Sequence, residues 1–234
     1  MRAVLALAIA LSLWQLAAGP LLPGPLAVAT KAATLFWEGG LLADMAASLG
    51  RVAVGYSAAA VAGVGLGALV ALAGPWAKGI RAVIDLLRPI PPIAWVPLAI
   101  LWCGLGDPAA WAIVFVGAFF PIFVQVAWAL ASCPPAYLEL TESLGASAPL
   151  TLWRVRVPAA APRIAAGLRT GIGLAWTSVI AAELVGAQSG LGYRIQMHRL
   201  MLEIDGVMVG MACIGALGFA MDAVARRLAR RFVA

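Results

Sequence analysis

Long apolar runs separated by short polar breaks set the plan of this chain. Residues 2–19 are apolar after one Arg, and Leu21 and Leu22 extend the run past Pro20. That is about the 20 residues a helix needs to cross a bilayer. The run predicts a retained transmembrane helix rather than a signal peptide, whose apolar core is shorter. Pro20, Pro23, Gly24 and Pro25 break it. Residues 26–49 mix Lys31, Trp37, Glu38 and Asp44 with a Gly39–Gly40 turn, and read as amphipathic helix and loop at the outer face. Further apolar spans are expected at 46–73, in the run that follows Pro92, and at 109–131, 164–186 and 206–225. The pattern predicts an all-α, polytopic transmembrane bundle of about six spans. It divides into 1–45, an N-terminal transmembrane helix with an outer amphipathic segment, and 46–234, a membrane domain carrying a polar insert at 137–162.

Finer features sit on these runs. Gly63 and Gly67 make a GxxxG step, which lets helix backbones approach closely. Ordinary packing inside one subunit is the favoured reading over a dedicated dimer face. Residues 74–88 form a short basic amphipathic segment with Lys78, Arg81, Asp85 and Arg88. Pro89, Pro91, Pro92 and Pro97 then predict a bent helix beside a pathway, because a proline in a span frees carbonyls that protein or a cavity must cover. Pro121 and Gln125 lie inside the 109–131 span.

Composition agrees with the pattern. Of 234 residues, 64% are hydrophobic and 11% charged, with mean hydropathy +1.00. A soluble domain has about 25% charged residues. The excess of Lys and Arg is spread between spans, which fits membrane topology rather than a nucleic-acid face. Lys31, Arg51, Arg194 and Arg199 fall on one side of the predicted bundle and the other twelve of sixteen basic residues on the opposite side. The basic side is expected to be cytoplasmic, with both termini and the insert on it. Cys103, Cys133 and Cys213 are far apart and read as small packed hydrophobes.

Chemistry-bearing groups are sparse. No GxxxxGK[ST], HExxH or GxSxG is present, and His198 stands alone in a loop, so neither nucleotide binding, metal binding nor catalysis is expected of this chain. Ionisable residues within spans are functional candidates by default. Glu183, near the outer end of the fifth span, is either a solvated interfacial carboxylate or a pathway residue. Trp176, Thr177 and Ser178, halfway along that span, either line a path or make helix–helix hydrogen bonds. Asp222, four residues before Arg226, is expected to form an ordinary ion pair.

The insert reads YLELTESLGASAPLTLWRVRVPAAAP. Tyr137 to Leu144 suit two helical turns, with Leu140 and Leu144 on one face and Glu139 and Glu142 on another. Gly145 can take the left-handed conformation that stops a helix. Ser147 and Pro149 suit the start of a second one, and Pro158 and Pro162 are expected to break the path back into the membrane. The result is a bent pair of short helices at the cytoplasmic surface, either a docking surface for a second protein or a solvated loop.

On these residues the chain resembles the permease subunits of binding-protein-dependent ABC importers of type I. It looks most like the branch serving nitrate, taurine and aliphatic sulfonates. The family's cytoplasmic signature is Glu-Ala-Ala, three residues, Gly, then about a dozen residues to a Pro. Here it runs from Glu139 to Ala146, then Val157–Pro158 and Pro162. Leu140 and Thr141 replace the two Ala, and Trp153 stands where Phe is common. The branch resemblance extends to RPIPPIAWVPLAILWCGLG at 88–106, GAFFPI at 117–122, GLRTGIGLAW at 167–176, AAEL at 181–184 and SGLGY at 189–193. The resemblance implies a coupling role for Glu139, Leu140, Thr141, Glu142, Leu144, Gly145, Ala146 and Pro158, docked to a separate ATPase dimer that uses ATP and Mg. It also implies a second permease copy, a periplasmic binding protein and the inner membrane. The solute class would be nitrate, sulfonate or taurine, with a vitamin precursor or other neutral heterocycle as the alternative. A standalone secondary transporter fits less well, because no ionisable groups pair at the membrane midplane in the sequence.

Overall fold

The structure, a computed structural model, describes residues 2–233 except 20, 21, 38, 75 and 76. The proline stop at Pro20, the Leu21 extension and the polar Glu38 lie outside the described residues. The helices in order are α1 (Arg2–Leu16), α2 (Pro25–Trp37), α3 (Leu41–Leu72), α4 (Ala77–Leu87), α5 (Val96–Cys103), α6 (Asp107–Ala131), α7 (Pro135–Ser143), α8 (Ala148–Thr151), α9 (Val157–Gly186), α10 (Leu191–Leu200) and α11 (Ile204–Val233). The expected all-α bundle is present.

Four stretches are long and apolar enough to cross a membrane: 41–72, 107–131, 148–186 and 204–229. α4 and the Pro92–Cys103 segment meet at 92° and, taken together as one bent pair, are long and apolar enough for a fifth. The prolines cause the bend. Pro91 is extended at φ −64, ψ 144, a 3-10 turn follows over Pro92–Trp95, and Pro97 opens α5. α1 is short for an expected span within the described residues. Its 15 residues rise only about 22 Å against a hydrocarbon core of about 30 Å. The third predicted element also begins earlier than expected, at Leu41.

α6 is the axis of the bundle. Phe119, Ile122, Phe123 and Val126 on it are all buried, and Phe119 and Phe123 stack with ring centroids 5.9 Å apart. α3 lies against one side through Gly55, Ala59, Gly63 and Gly67, one residue per turn. A Cβ on Gly63 would fall 2.9 Å from Ile122, and one on Gly67 would fall 2.9 Å from Val126 and 3.0 Å from the Phe123 carbonyl. The GxxxG step is therefore spent inside one subunit, as favoured from sequence. α9 lies against the other side, where Gly171 meets Ile122 and Gly167 meets Gln125. Small residues on α3 and α9 set the close spacing, and the large side chains of α6 fill it.

The return into the membrane differs from expectation. Pro158 and Pro162 do not break the path: helix runs continuously from Ala148 to Gly186. Leu152–Arg156 widens into a π-turn, with the Val157 N–H donating to the Leu152 carbonyl. A widened turn ahead of Pro158 relieves the ring's clash with the preceding turn, so the prolines are absorbed instead of ending the helix.

Candidate functional site

The two ends of the bundle carry different chemistry. At one end, α7 meets α8 at a bend, but the expected second short helix is instead the first turn of the continuous 148–186 helix. α7 ends in a Schellman motif: the Ala146 N–H donates to the Thr141 carbonyl (2.9 Å) and the Gly145 N–H to the Glu142 carbonyl (2.9 Å). Gly145 sits at φ +67 with nothing within 4 Å of the place a Cβ would take. Conformation, not space, requires glycine there. Ser147 takes the N-cap position of α8 with extended backbone and accepts from the Thr151 N–H at 2.9 Å, but its side chain makes no cap bond.

The predicted coupling residues lie together on this end. Glu139, Glu142 and Pro158 are exposed, while Thr141 and Ala146 are half-buried. The Thr141 hydroxyl donates to the Leu138 carbonyl at 2.8 Å. Leu140, Leu144 and Trp153 are 58%, 76% and 68% exposed. A groove of about 540 Å³ runs between α7 and α8, lined by Leu138, Thr141, Glu142, Pro149 and Arg156 and reaching Leu72 at the end of α3.

The opposite end is closed by a buried polar network that sequence reading did not assemble. Glu183 is 1% exposed. Its carboxylate accepts from Ser48 Oγ (2.8 Å), Arg51 Nη1 (2.8 Å) and the Gly192 N–H (2.9 Å). Arg51 also donates to Asp107 Oδ1 (2.7 Å), the Ser189 carbonyl (2.6 Å) and Ser189 Oγ (2.7 Å). Asp44 accepts from the Gly190 N–H at 2.7 Å and pairs with Arg194, which also donates to the Gly39 carbonyl. Gly190, at φ +104, leaves no room for a side chain against Glu183 and Arg51. The network ties the α9–α10 corner and the α5–α6 turn to α3. Beside it Lys31 on α2 reaches Glu203 at 2.9 Å, and His198 Nδ1 lies 2.7 Å from the same oxygen. The Lys31 hydrogen bond, then that of His198, hold the Glu203 carboxyl below its ordinary 4.5.

This placement corrects the solvated, interfacial reading of Glu183. Ser48, Arg51 and the Gly192 N–H all donate to its carboxylate. The other three residues named for a pathway separate. Trp176 is buried and its Nε1 donates to the Ile214 carbonyl at 3.1 Å, the helix–helix alternative. Ser178 is buried against Gly117, and Thr177 is exposed on α9, bonded to the Leu174 carbonyl at 3.0 Å. Asp222 pairs with Arg226 as expected, and with Arg169 as well, at 2.8 Å. One cavity lies elsewhere, about 380 Å³ beneath the proline bend, lined by Arg88, Pro92, Phe120, Pro121, Gln125 and Leu174. The prolines at 89–97 and 121 were its signal in the sequence.

The described residues thus form a helical membrane bundle with one proline-bent pair, one end pinned by buried charge and the other presenting an exposed insert. The family described as binding-protein-dependent transport system inner membrane component matches residues 63–234. The chain is 34% identical to the taurine transport system permease protein TauC of Escherichia coli over 96% of this chain and 86% of that one. It is 32% identical to the nitrate import permease protein NrtB of Synechocystis sp., over 94% and 85% of the two chains. A chain from the MetNI methionine ABC transporter, solved in inward-facing conformations, superposes with a TM-score of 0.72 over 83% of this chain and 97% of that one, at 20% identity. The chain belongs to this family: it is an inner-membrane permease subunit of an ABC importer, with the type I permease fold.

Proposed function

We propose that this permease carries a small oxyanion of the sulfonate or nitrate class, delivered by a binding protein at the network end and driven by an ATPase dimer docked at the insert end. The carrying observation is the insert. Leu140, Leu144 and Trp153 are held exposed on a glycine-stopped bent pair of helices. Exposed apolar side chains rimmed by Glu139, Glu142, Arg154 and Arg156 are the pattern of a protein-docking patch. The excess of Lys and Arg supports a cytoplasmic place for that end and for both termini.

In this reading two copies of the chain enclose the path. ATP and Mg are used by the partner alone. ATP binding closes the ATPase dimer, the docked inserts move with it, and α9, continuous with α8, carries the displacement into the bundle. The ATPase biases a two-state permease by binding its states differently. Glu139, Leu140, Thr141, Glu142, Leu144, Gly145, Ala146 and Pro158 form or shape the docked surface. The names of the taurine and nitrate relatives support the solute class.

Reconstitution with the cognate ATPase and binding protein tests this. ATP-dependent uptake of taurine or nitrate into liposomes is expected, dependent on both partners. Uptake of a neutral heterocycle, with neither taurine nor nitrate carried, overturns the solute class. Uptake without the ATPase overturns the division of labour.

A further inference from the structure

α6 has a polar side chain that its packing does not explain. Gln125 lies inside an apolar span, its stem against Gly167 of α9, where an added Cβ would fall 2.7 Å from Gln125 Cβ. Tyr56 and Trp176, also polar and within spans, each donate to a backbone carbonyl, at 3.0 and 3.1 Å. Among the described residues the Gln125 amide has no such partner, and it lines the 380 Å³ cavity beneath the proline bend. The Gln125 amide is partly exposed and faces the cavity, so its donors and acceptor are available to something that enters.

Arg88 lines the same cavity from the turn between α4 and the 3-10 segment. The neighbouring carboxylate, Asp85, pairs with Arg81 instead (3.7 Å), and Arg88 has no ion-pair partner among the described residues. Pro121, one turn before Gln125, lacks the N–H that would bond the Gly117 carbonyl, and both Pro121 and Gly117 line the cavity. The remaining wall is apolar, from Phe120, Val124 and Leu174. The volume is at the small end of ligand sites, which run about 300–1,000 Å³.

We infer that this cavity is a segment of the solute path and that Arg88 and Gln125 read a small oxyanion in it. A guanidinium offers paired donors to two oxygens of a sulfonate, nitrate or carboxylate, and the Gln125 NH₂ supplies a third. Apolar walls strengthen that attraction relative to water. Arg88 is exposed, so the hold is weak enough for release. This rests on the permease reading above and adds the residues that select within it.

The test is cysteine labelling in the assembled transporter, in membrane vesicles, with Cys103, Cys133 and Cys213 replaced and Gln125→Cys introduced. The probes are a sulfonate-bearing and a trimethylammonium-bearing methanethiosulfonate. The anionic reagent is expected to react about tenfold faster than the cationic one, relative to an exposed reference cysteine, because a single cation focuses anions in a low-dielectric cleft. Arg88→Gln is expected to abolish that preference and Arg88→Lys to retain it. Taurine or nitrate is expected to slow the labelling, and which one does so identifies the oxyanion. Failure of both reagents to react, as in a lipid-filled groove, overturns the inference. So does a disulfide between Gln125→Cys positions of two copies, a preference unchanged by Arg88→Gln, or protection by chloride equal to that by the oxyanions. The reagent preference is read with no ATP and no transported solute present, so it fails separately from the importer mechanism.

Discussion

Removing the Glu183 carboxylate isolates the network that closes one end of the bundle. Glu183→Ala leaves the Arg51 guanidinium, 5% exposed, with Asp107, itself 55% exposed, as its remaining carboxylate. Ser48 Oγ and the Gly192 N–H lose their acceptor at the same time. Breaking a buried pair by deleting one partner costs about 3–5 kcal/mol, because the surviving charge stays buried. Asp107 offsets part of that, so about 3 kcal/mol is expected, roughly a 150-fold fall in the folding equilibrium at about 1.4 kcal/mol per tenfold. Glu183→Gln keeps the shape and an acceptor oxygen but loses the charge, and is expected to cost about 1.5–3 kcal/mol, the range for a hydrogen bond to a charged group. Arg51→Met with Glu183→Met removes both charges and is expected to cost less than the sum of the single changes by more than about 1 kcal/mol, the signature of direct coupling. The assay is denaturant unfolding of the purified chain in bicelles, followed by tryptophan fluorescence. Strict additivity, or Glu183→Ala within about 0.5 kcal/mol of the parent, the range of a surface change, refutes the reasoning. Lost transport at undiminished stability would return Glu183 to the pathway.

Three further outcomes follow from the packing and the loops. Gly63→Val inserts bulk where even a Cβ lies 2.9 Å from Ile122; a loss of about 1–3 kcal/mol is expected by the same unfolding assay. Gly145→Ala is expected to destabilise the insert by about 1–2 kcal/mol through the left-handed conformation alone, and Gly145→Asn by less, read by amide exchange across 140–150. The Glu203 carboxyl is held below 4.5 by Lys31 and His198, so its contribution is present above that pH and is lost as pH falls through the depressed value. The stability difference between the parent and Glu203→Gln is therefore expected to shrink only below about pH 4.5; a difference that disappears between pH 7 and 5 contradicts this.

Local patterns carried far in this sequence, and long-range pairing did not. The spans, the bend at Pro89–Pro92, the glycine seam of α3 and the left-handed stop at Gly145 are each written in one stretch of chain, by period or by backbone preference. Arg51 and Glu183 lie 132 positions apart, and nothing in either neighbourhood names the other. A carboxylate at the end of a span reads the same whether water or a guanidinium meets it. Gln125 and Trp176 were both visible as polar residues within spans, but only packing separates the one that bonds a carbonyl from the one that faces a cavity. Pro158 and Pro162 misled for another reason. Proline stops a helix when the preceding turn is tight, and the π-turn at Leu152–Arg156 is not announced by its residues. At α1 the sequence offered about enough apolar length, and the described helix ends sooner, at Leu16.

The central claim is that the 137–162 insert is where the ATPase docks. With the native cysteines replaced, Ser143→Cys at the exposed end of α7 and Leu200→Cys, 65% exposed at the opposite end, are each treated with a short bifunctional maleimide in the assembled transporter. Ser143→Cys is expected to capture the ATPase and Leu200→Cys none of it, with capture at Ser143→Cys falling when Gly145→Pro is added. Capture of the ATPase from Leu200→Cys, or none from Ser143→Cys in a complex that still hydrolyses ATP, contradicts the account.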